Sequence, residues 1–317
     1  MSESGRAFWW TIRPECTVRD RDGMDDIRIG ILGFGEVGQR FAADLRAADA
    51  RRPLATFDLL LHQAAAGERM RHHAAANNVE LLTDAAGLAG CSLIFSAVTA
   101  AQTRAAAQSL CARPLDDAWV VDVNSASPAT KIECAALIAA AGGRYVEAAV
   151  MTSVPPHGIR VPMLLGGVHA ASCEKVLRGL GFAGETVSSD LGIASAIKLC
   201  RSVIIKGLES LVIESFSAAR ALGVEQQVLA SLKETYPQFD WEKQGDYLFS
   251  RVIQHGRRRA EEMRASAQMI DATGVGGIMA GAAAQRQAAV AAQRAAGAFT
   301  DPMNSKPWRE RADEMQP

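Results

Sequence analysis

Gly33-Phe34-Gly35-Glu36-Val37-Gly38 has the spacing G-x-G-x-x-G and lies between the apolar run IRIGIL and the helically spaced EVGQRFAADLRAA. In that position Gly33 permits a tight turn, Gly35 lets backbone approach a pyrophosphate, and Gly38 lets the helix sit close to the strand. The diphosphate then faces the helix N-terminus, where unpaired amides and the helix dipole favour an anion. Glu36 and Val37 fill the turn between the glycines. Twenty residues beyond Gly38, Asp58 stands at the end of the second strand, in the run LATFDLLL. A carboxylate there accepts hydrogen bonds from an adenosine ribose and repels a 2′-phosphate. NAD is therefore the favoured cofactor and NADP the alternative. The competing reading of Asp58 is a solvated strand-end acid, with Arg69 or Arg71 available to a phosphate.

Two further places carry polar chemistry. Asn124 and Ser125 follow the apolar run WVVDV, at the C-terminal end of a strand, where ligands of open α/β sheets collect. A plain Asn/Ser turn before a proline-started helix is the structural alternative. Lys198 is one of few charges in the apolar stretch from Leu191 to Leu222, and Lys198, Ser202, Lys206 and Glu209 follow at helical spacing on one stripe. A lysine kept partly dry loses affinity for its proton, which suits it to exchange one with a substrate hydroxyl. Lys206 and Glu209 read as structural salt-bridge residues.

Other chemistries find little support. His72 and His73 are adjacent, so on a helix they point about 100° apart and cannot share a metal; no His/Asp/Glu cluster has metal spacing, and no metal is expected. The six cysteines show no C-x-x-C spacing, which disfavours a zinc site or a disulfide framework and fits reduced thiols in a cytoplasm. No G-x-S-x-G elbow points to a hydrolase. His157 reads as a surface residue, and the Arg257–Arg259 run beside His255 as a solvated helix face.

The elements that must position these residues follow from periodicity. After LATFDLLL come a helix in GERMRHHAAANN, a strand in SLIFSAV, a helix in QTRAAAQSLCA, the strand WVVDVN, a helix in PATKIECAALIAAAGG, and the strands RYVEAAV and VPMLLGG. Strands alternating with helices predict parallel βαβ units. A Rossmann-type α/β domain is expected over 27–187 and an all-α domain over 188–317, joined by a long interdomain helix. That helix should start at the cap cluster Ser188-Ser189-Asp190, run to Leu222, and be buried on most faces. Helical patterns continue over 226–232, 241–269 and 277–296. Residues 1–26 read as an extension outside the fold, with Met24 as an alternative start.

A length of 317 residues suits two domains at about 150 residues each. Lys plus Arg total 34 against 35 Asp plus Glu, a balance that argues against a nucleic-acid binder. No uncharged apolar run approaches the ~20 residues of a membrane span, and the first 23 residues lack the continuous apolar core of a secretory signal. A cytoplasmic protein is expected.

From the fifth strand onward the sequence resembles the 6-phosphogluconate and 3-hydroxyisobutyrate dehydrogenase superfamily, the β-hydroxyacid dehydrogenases. The resemblance rests on GFGEVG at 33–38, DVNSASP at 122–128, YVEAAVMTSV at 145–154 and GIASAIKLCRS at 192–202. The C-terminal part looks most like the branch with a phosphogluconate-dehydrogenase-like C-terminal domain. The resemblance implies NAD(P)-dependent oxidation of the CH–OH group of a β-hydroxyacid-like small molecule, with decarboxylation where the product is a β-keto acid. It makes Lys198 the catalytic lysine and Ser125 a substrate-binding hydroxyl, with the nicotinamide passing the Val98–Thr99 loop. It also implies a homodimer through the helical domain.

The sequence departs from the family in three places. The family's Ser-Gly-Gly after the sixth strand reads Met151-Thr152-Ser153, the usual Asn four residues after the lysine is Ser202 with Arg201 beside it, and the C-terminal Lys-Asp-Leu reads Glu261-Glu262-Met263. Thr152, Ser153, Arg201 and Ser202 are therefore candidate substrate contacts, with Arg201 or a member of the Arg257–Arg259 run a substitute for lost anion contacts. The altered substrate loop motivates one alternative, a non-catalytic dinucleotide sensor; an imine reductase-like enzyme built on the same architecture is another, and Lys198 argues against it.

Overall fold

The computed structural model describes residues 27–300 and 306–316. The expected extension over 1–26, with its alternative start at Met24, lies outside the described residues.

The α/β region runs β1 (Ile29–Leu32), α1 (Glu36–Ala48), β2 (Leu54–Phe57), α2 (Ala64–Ala76), β3 (Glu80–Leu81), β4 (Leu93–Ser96), α3 (Thr103–Leu110), β5 (Trp119–Asp122), α4 (Pro128–Ala140), β6 (Arg144–Val150), α5 (Val154–His157), β7 (Met163–Gly166), α6 (Ala170–Gly179) and β8 (Gly184–Ser188). One sheet holds the eight strands of the described residues, in the order β3-β2-β1-β4-β5-β6-β7-β8. Strands β1, β2, β4 and β5 are buried throughout, as the centre of a sheet covered on both faces requires. Chain order reverses between β1 and β4, which opens the crevice where such sheets take ligands.

Three expectations about this region need correction. The run LATFDLLL does not stay a strand, because Asp58 Oδ1 accepts from Leu60 N at 2.8 Å and starts a short 3-10 turn over Leu59–His62. The sheet is not wholly parallel: β6 pairs antiparallel with β7, since the 151–162 connection holds single helical turns instead of a helix able to cross the sheet face. The cap cluster at 188–190 is not a cap; Ser188 ends β8, and its hydroxyl accepts from Asp190 N at 2.9 Å.

The helical region comprises α7 (Ile193–Ala221), α8 (Glu225–Thr235), α9 (Trp241–Asp271), α10 (Ile278–Ala295) and α11 (Trp308–Glu314). Its core gathers Val212, Ile213, Phe216, Phe249, Val252, Ile253, Val290 and the wholly buried Trp308. Small residues let α9 and α10 approach: a Cβ on Gly256 would lie 2.8 Å from the Gln287 carbonyl oxygen. Helix α7 is not buried on most faces within one chain. Ile197, Ile204 and Leu211, spaced by seven residues, are 41%, 73% and 54% exposed. No described helix is long and apolar enough to cross a membrane.

Candidate active site

The glycine turn is built as its spacing requires. Gly33 has φ +94°, and a Cβ there would fall 2.5 Å from the Ala97 carbonyl oxygen. A Cβ on Gly38 would meet the Gly33 carbonyl oxygen at 2.2 Å, so helix and strand touch through backbone. Gly35 is different: nothing lies within 4 Å of its Cβ position, and α1 has no side-chain cap. The turn therefore presents an open face and a first turn of helix without an intramolecular partner for its amides. Phe34 offers nothing there. Its side chain is wholly buried, and its N–H donates to Asp58 Oδ2 at 2.7 Å. Asp58 thus ties the second strand to the turn, a role its spacing did not reveal.

The loops after β4 and β5 are laced together. Asn124 Oδ1 accepts from Val98 N at 2.6 Å, and Asn124 Nδ2 donates to Ser96 Oγ at 3.0 Å. Asn124 is buried with both ends of its carboxamide engaged, so it sets the Val98–Thr99 and Ser125 loops in place. Beneath it lies a network that sequence reasoning missed. Asp122 Oδ1 faces Lys131 Nζ at 2.8 Å and accepts from Asn124 N at 2.9 Å, while Tyr145 donates its hydroxyl to Asp122 Oδ2 at 2.6 Å. Burial, reinforced by the Asp122 charge, pushes the Tyr145 hydroxyl well above its ordinary pKa, so it stays a donor.

Lys198 reaches this platform from α7. Its Nζ donates to Ser125 Oγ at 2.6 Å, joining two residues 73 positions apart. The residue is half-buried overall, but its amine is closely surrounded by protein. That burial brings its pKa down to about 8; Glu262 opposes the fall, and Lys131, Lys206 and Arg258 add to it. The start of α7 is fixed by a second unforeseen residue. Glu147 on β6 is wholly buried, and its Oε1 accepts from Gly192 N at 2.8 Å and Ala194 N at 3.1 Å. An acid inside the apolar strand RYVEAAV was the signal, since a buried carboxylate needs partners.

Of the other candidates, Arg201 is exposed and donates to the Met151 carbonyl oxygen at 3.3 Å, which sets it beside the exposed Thr152 and Ser153. Ser202 is buried and accepts from Lys206 Nζ at 3.1 Å, so it faces a lysine instead of open space. Lys206 and Glu209 pair across to α9, with Glu262 at 2.9 Å and Arg259 at 2.8 Å respectively. The arginine run is accordingly split: Arg259 is buried, while Arg257 and Arg258 are exposed. His157 is an exposed residue at the end of α5. Among the described residues no group of three His, Cys, Asp or Glu side chains could hold a metal ion.

Residues 219–290 match a family described as a domain of unknown function, DUF1932. A conserved hypothetical protein from Sinorhizobium meliloti is 37% identical over 94% of this chain and 99% of its own, with a TM-score of 0.76. A conserved protein of unknown function, described as structurally similar to 3-hydroxyacid dehydrogenases, is 28% identical over 86% of this chain and 99% of its own, with a TM-score of 0.68. The 3-hydroxyisobutyrate dehydrogenase of Mycobacterium tuberculosis shares the fold at 17% identity, over 92% of this chain and 100% of its own, with a TM-score of 0.68. An uncharacterized 28.5 kDa protein of Methanothermus fervidus is 33% identical over 146 residues, and the match spans 45% of this chain and only 54% of that protein. With its eight-stranded sheet, glycine turn and helical C-terminal region, the chain belongs to the 3-hydroxyisobutyrate and 6-phosphogluconate dehydrogenase-like superfamily, the β-hydroxyacid dehydrogenases.

Proposed function

We propose that this protein is a nicotinamide dinucleotide-dependent oxidoreductase acting on the CH–OH group of a small β-hydroxyacid-like molecule. The observation that carries the proposal is the Lys198–Ser125 contact, which brings an amine of lowered pKa to the C-terminal ends of the central strands.

The cofactor fits the residues present: the open face at Gly35 and the uncapped start of α1 suit a diphosphate. Gly33, Gly35 and the amides of Glu36, Val37 and Gly38 would hold it, with Asp58 toward the adenosine ribose and Val98–Thr99 along the path to the substrate. Bound there, a nicotinamide dinucleotide supplies hydride acceptance or donation. The chain's own residues handle the proton. Ser125 Oγ binds the substrate hydroxyl, and Lys198 Nζ takes its proton in oxidation or returns it in reduction. Arg201, one helical turn from Lys198 on α7, and the exposed Thr152 and Ser153 would suit an anionic end of the substrate. NAD is the cofactor we favour, because the Asp58 carboxylate opposes a 2′-phosphate.

We place the domain boundary near 187, where β8 ends, and a second copy of the chain against the exposed stripe of α7. Calorimetric titration with NAD⁺ and NADP⁺, followed by a panel of hydroxyacids, tests the function. Affinity for neither nucleotide would end this reading; binding without turnover on any substrate would favour a sensor.

A further inference from the structure

Asn124 and Ser125 are neighbours in sequence, yet their side chains serve different loops. Ser125 Oγ accepts from Lys198 Nζ of α7 at 2.6 Å. Asn124 engages the loop after β4 instead: its Oδ1 takes the Val98 amide at 2.6 Å and its Nδ2 donates to Ser96 Oγ at 3.0 Å. One bond at each end fixes the rotation of the carboxamide. With 4% of its surface exposed, the residue is turned toward the protein's own groups.

The loop that Asn124 holds is seated on the glycine turn. Ala97 N donates to the Leu32 carbonyl oxygen at 2.7 Å, and a Cβ on Gly33 would lie 2.9 Å from Val98 Cγ1. On its other side Asn124 is anchored in β5. Its N–H donates to Asp122 Oδ1, which Lys131 Nζ faces at 2.8 Å with both side chains almost wholly buried. Lys131 Nζ also donates to the Asp122 carbonyl oxygen at 2.9 Å. Moving the backbone at 122–124 would therefore break a buried ion pair, which is strongly destabilising. Contacts run unbroken from the glycine turn through Val98 and Asn124 to Ser125 and Lys198.

We propose that Asn124 is a positioning residue that holds the Val98–Thr99 loop and the Ser125–Lys198 pair at a fixed separation, without touching substrate itself. The inference rests on the proposed function. In that reaction hydride leaves the carbinol carbon for the nicotinamide while the hydroxyl proton leaves for Lys198 Nζ, so both transfers fall on one CH–OH group. The path of the nicotinamide and the grip on the hydroxyl come from different loops, and the Asn124 carboxamide is the side-chain bridge between them. A misplacement of about 1 Å between such parts costs ~10²-fold in rate.

The separation can be read without turnover. Oxidised nicotinamide carries a positive charge that the reduced ring lacks, so Lys198 should give up its proton at lower pH with NAD⁺ bound than with NADH. The gap between the two midpoints shrinks as ring and amine move apart. Lys131, Lys206, Glu262 and Arg258 also act on the amine, but they are common to both complexes and cancel from the difference. The experiment is an NMR pH titration of the full chain carrying ¹³Cε-labelled lysine, saturated with each nucleotide in turn. Lys198 is one of seven lysines and is assigned by the signal missing from Lys198→Arg.

We expect a gap of about half a unit or more in the unmodified protein, a roughly threefold difference in proton affinity. Asn124→Ala should at least halve it. Asn124→Asp should keep most of it, because a carboxylate still accepts from the Val98 amide and the Ser96 hydroxyl. On a turned-over substrate, Asn124→Ala should lower kcat and leave KM nearly unchanged, whereas loss of a substrate contact would raise KM. An Asn124→Ala gap equal to that of the unmodified protein, or a raised KM with kcat preserved, overturns the proposal. Should Asn124→Ala not fold, Ser96→Ala frees one end of the carboxamide and must narrow the gap. Affinity for neither nucleotide would end the proposed function and this inference with it; bound nucleotide with no gap in the unmodified protein, or with a gap indifferent to Asn124, ends the inference alone.

Discussion

Glu147 on β6 accepts a 2.6 Å hydrogen bond from the Ser195 hydroxyl of α7, and with the amides of Gly192 and Ala194 it fastens the sheet to the helix that carries Lys198. The bond spans 48 positions of sequence and lies wholly inside the protein. It takes the place of the usual local cap, since Gly192 offers no side chain. Gly166 on the neighbouring strand is fitted to the same carboxylate; a Cβ there would lie 2.5 Å from Glu147 Oε1.

Removing this carboxylate should therefore cost stability as well as activity. Glu147→Ala leaves two amides and a hydroxyl buried without partners, and we expect a loss of about 2–4 kcal/mol in denaturant unfolding. Unfolding free energy within about 0.5 kcal/mol of the parent would show that the cap carries no weight.

Lys198→Ala should lower kcat by ~10²–10⁴-fold on the true substrate, the range for losing a general acid–base group. Ser125→Ala should chiefly raise KM, because Ser125 orients the hydroxyl while Lys198 still takes its proton. Steady-state kinetics with either nicotinamide nucleotide separates the two effects, and unchanged turnover in Lys198→Ala removes that residue from the mechanism.

The pH dependence follows from the lowered lysine pKa. Only the neutral amine can accept a proton, so oxidation should accelerate as pH rises through about 8. Reduction needs the ammonium and should slow over the same interval. Rate profiles in both directions, measured at saturating cofactor, should cross with one shared inflection; an oxidation rate flat from pH 7 to about 9 would be inconsistent with Lys198 as the base.

Much of this arrangement is legible in the chain because its signals are local. The glycine spacing lies within six residues, the strand–helix alternation within windows of about ten, and Lys198 stands out as a charge on an apolar helix. What sequence does not show are partners brought together only by folding. Glu147 stands as a solitary acid in the run RYVEAAV, and nothing local ties Lys131 to Asp122 or Glu262 to Lys206. Each finds its counter-group through tertiary packing. The antiparallel turn-back at β7 is hidden for a related reason: VPMLLGG has the same apolar pattern whichever way the strand runs.

Asp58 offers a test of cofactor choice. Its carboxylate already accepts from the Phe34 and Leu60 amides and, on our proposal, also receives the adenosine ribose. Asp58→Ser removes the charge that opposes a 2′-phosphate, so calorimetry should show weaker NAD⁺ binding and a relative gain for NADP⁺ of about tenfold or more, equivalent to ~1.4 kcal/mol. An unchanged ratio would place the ribose elsewhere.

The exposed stripe of α7 carries the last prediction. Ile197, Ile204 and Leu211 recur every seven residues, so they line one side of the helix, away from the Lys198 stripe. An apolar seam of that period is what a second helix packs against, and leaving it in water forgoes roughly 1.5–3 kcal/mol per fully buried side chain. We therefore expect light scattering to give about twice the 33.7 kDa chain mass at micromolar concentration. Ile204→Glu with Leu211→Glu should halve that mass while leaving the helical circular dichroism intact, because neither residue belongs to the buried core of its own chain. A parent protein that stays at the mass of one chain would mean that the seam faces solvent for some other reason, and the two glutamates would then change nothing.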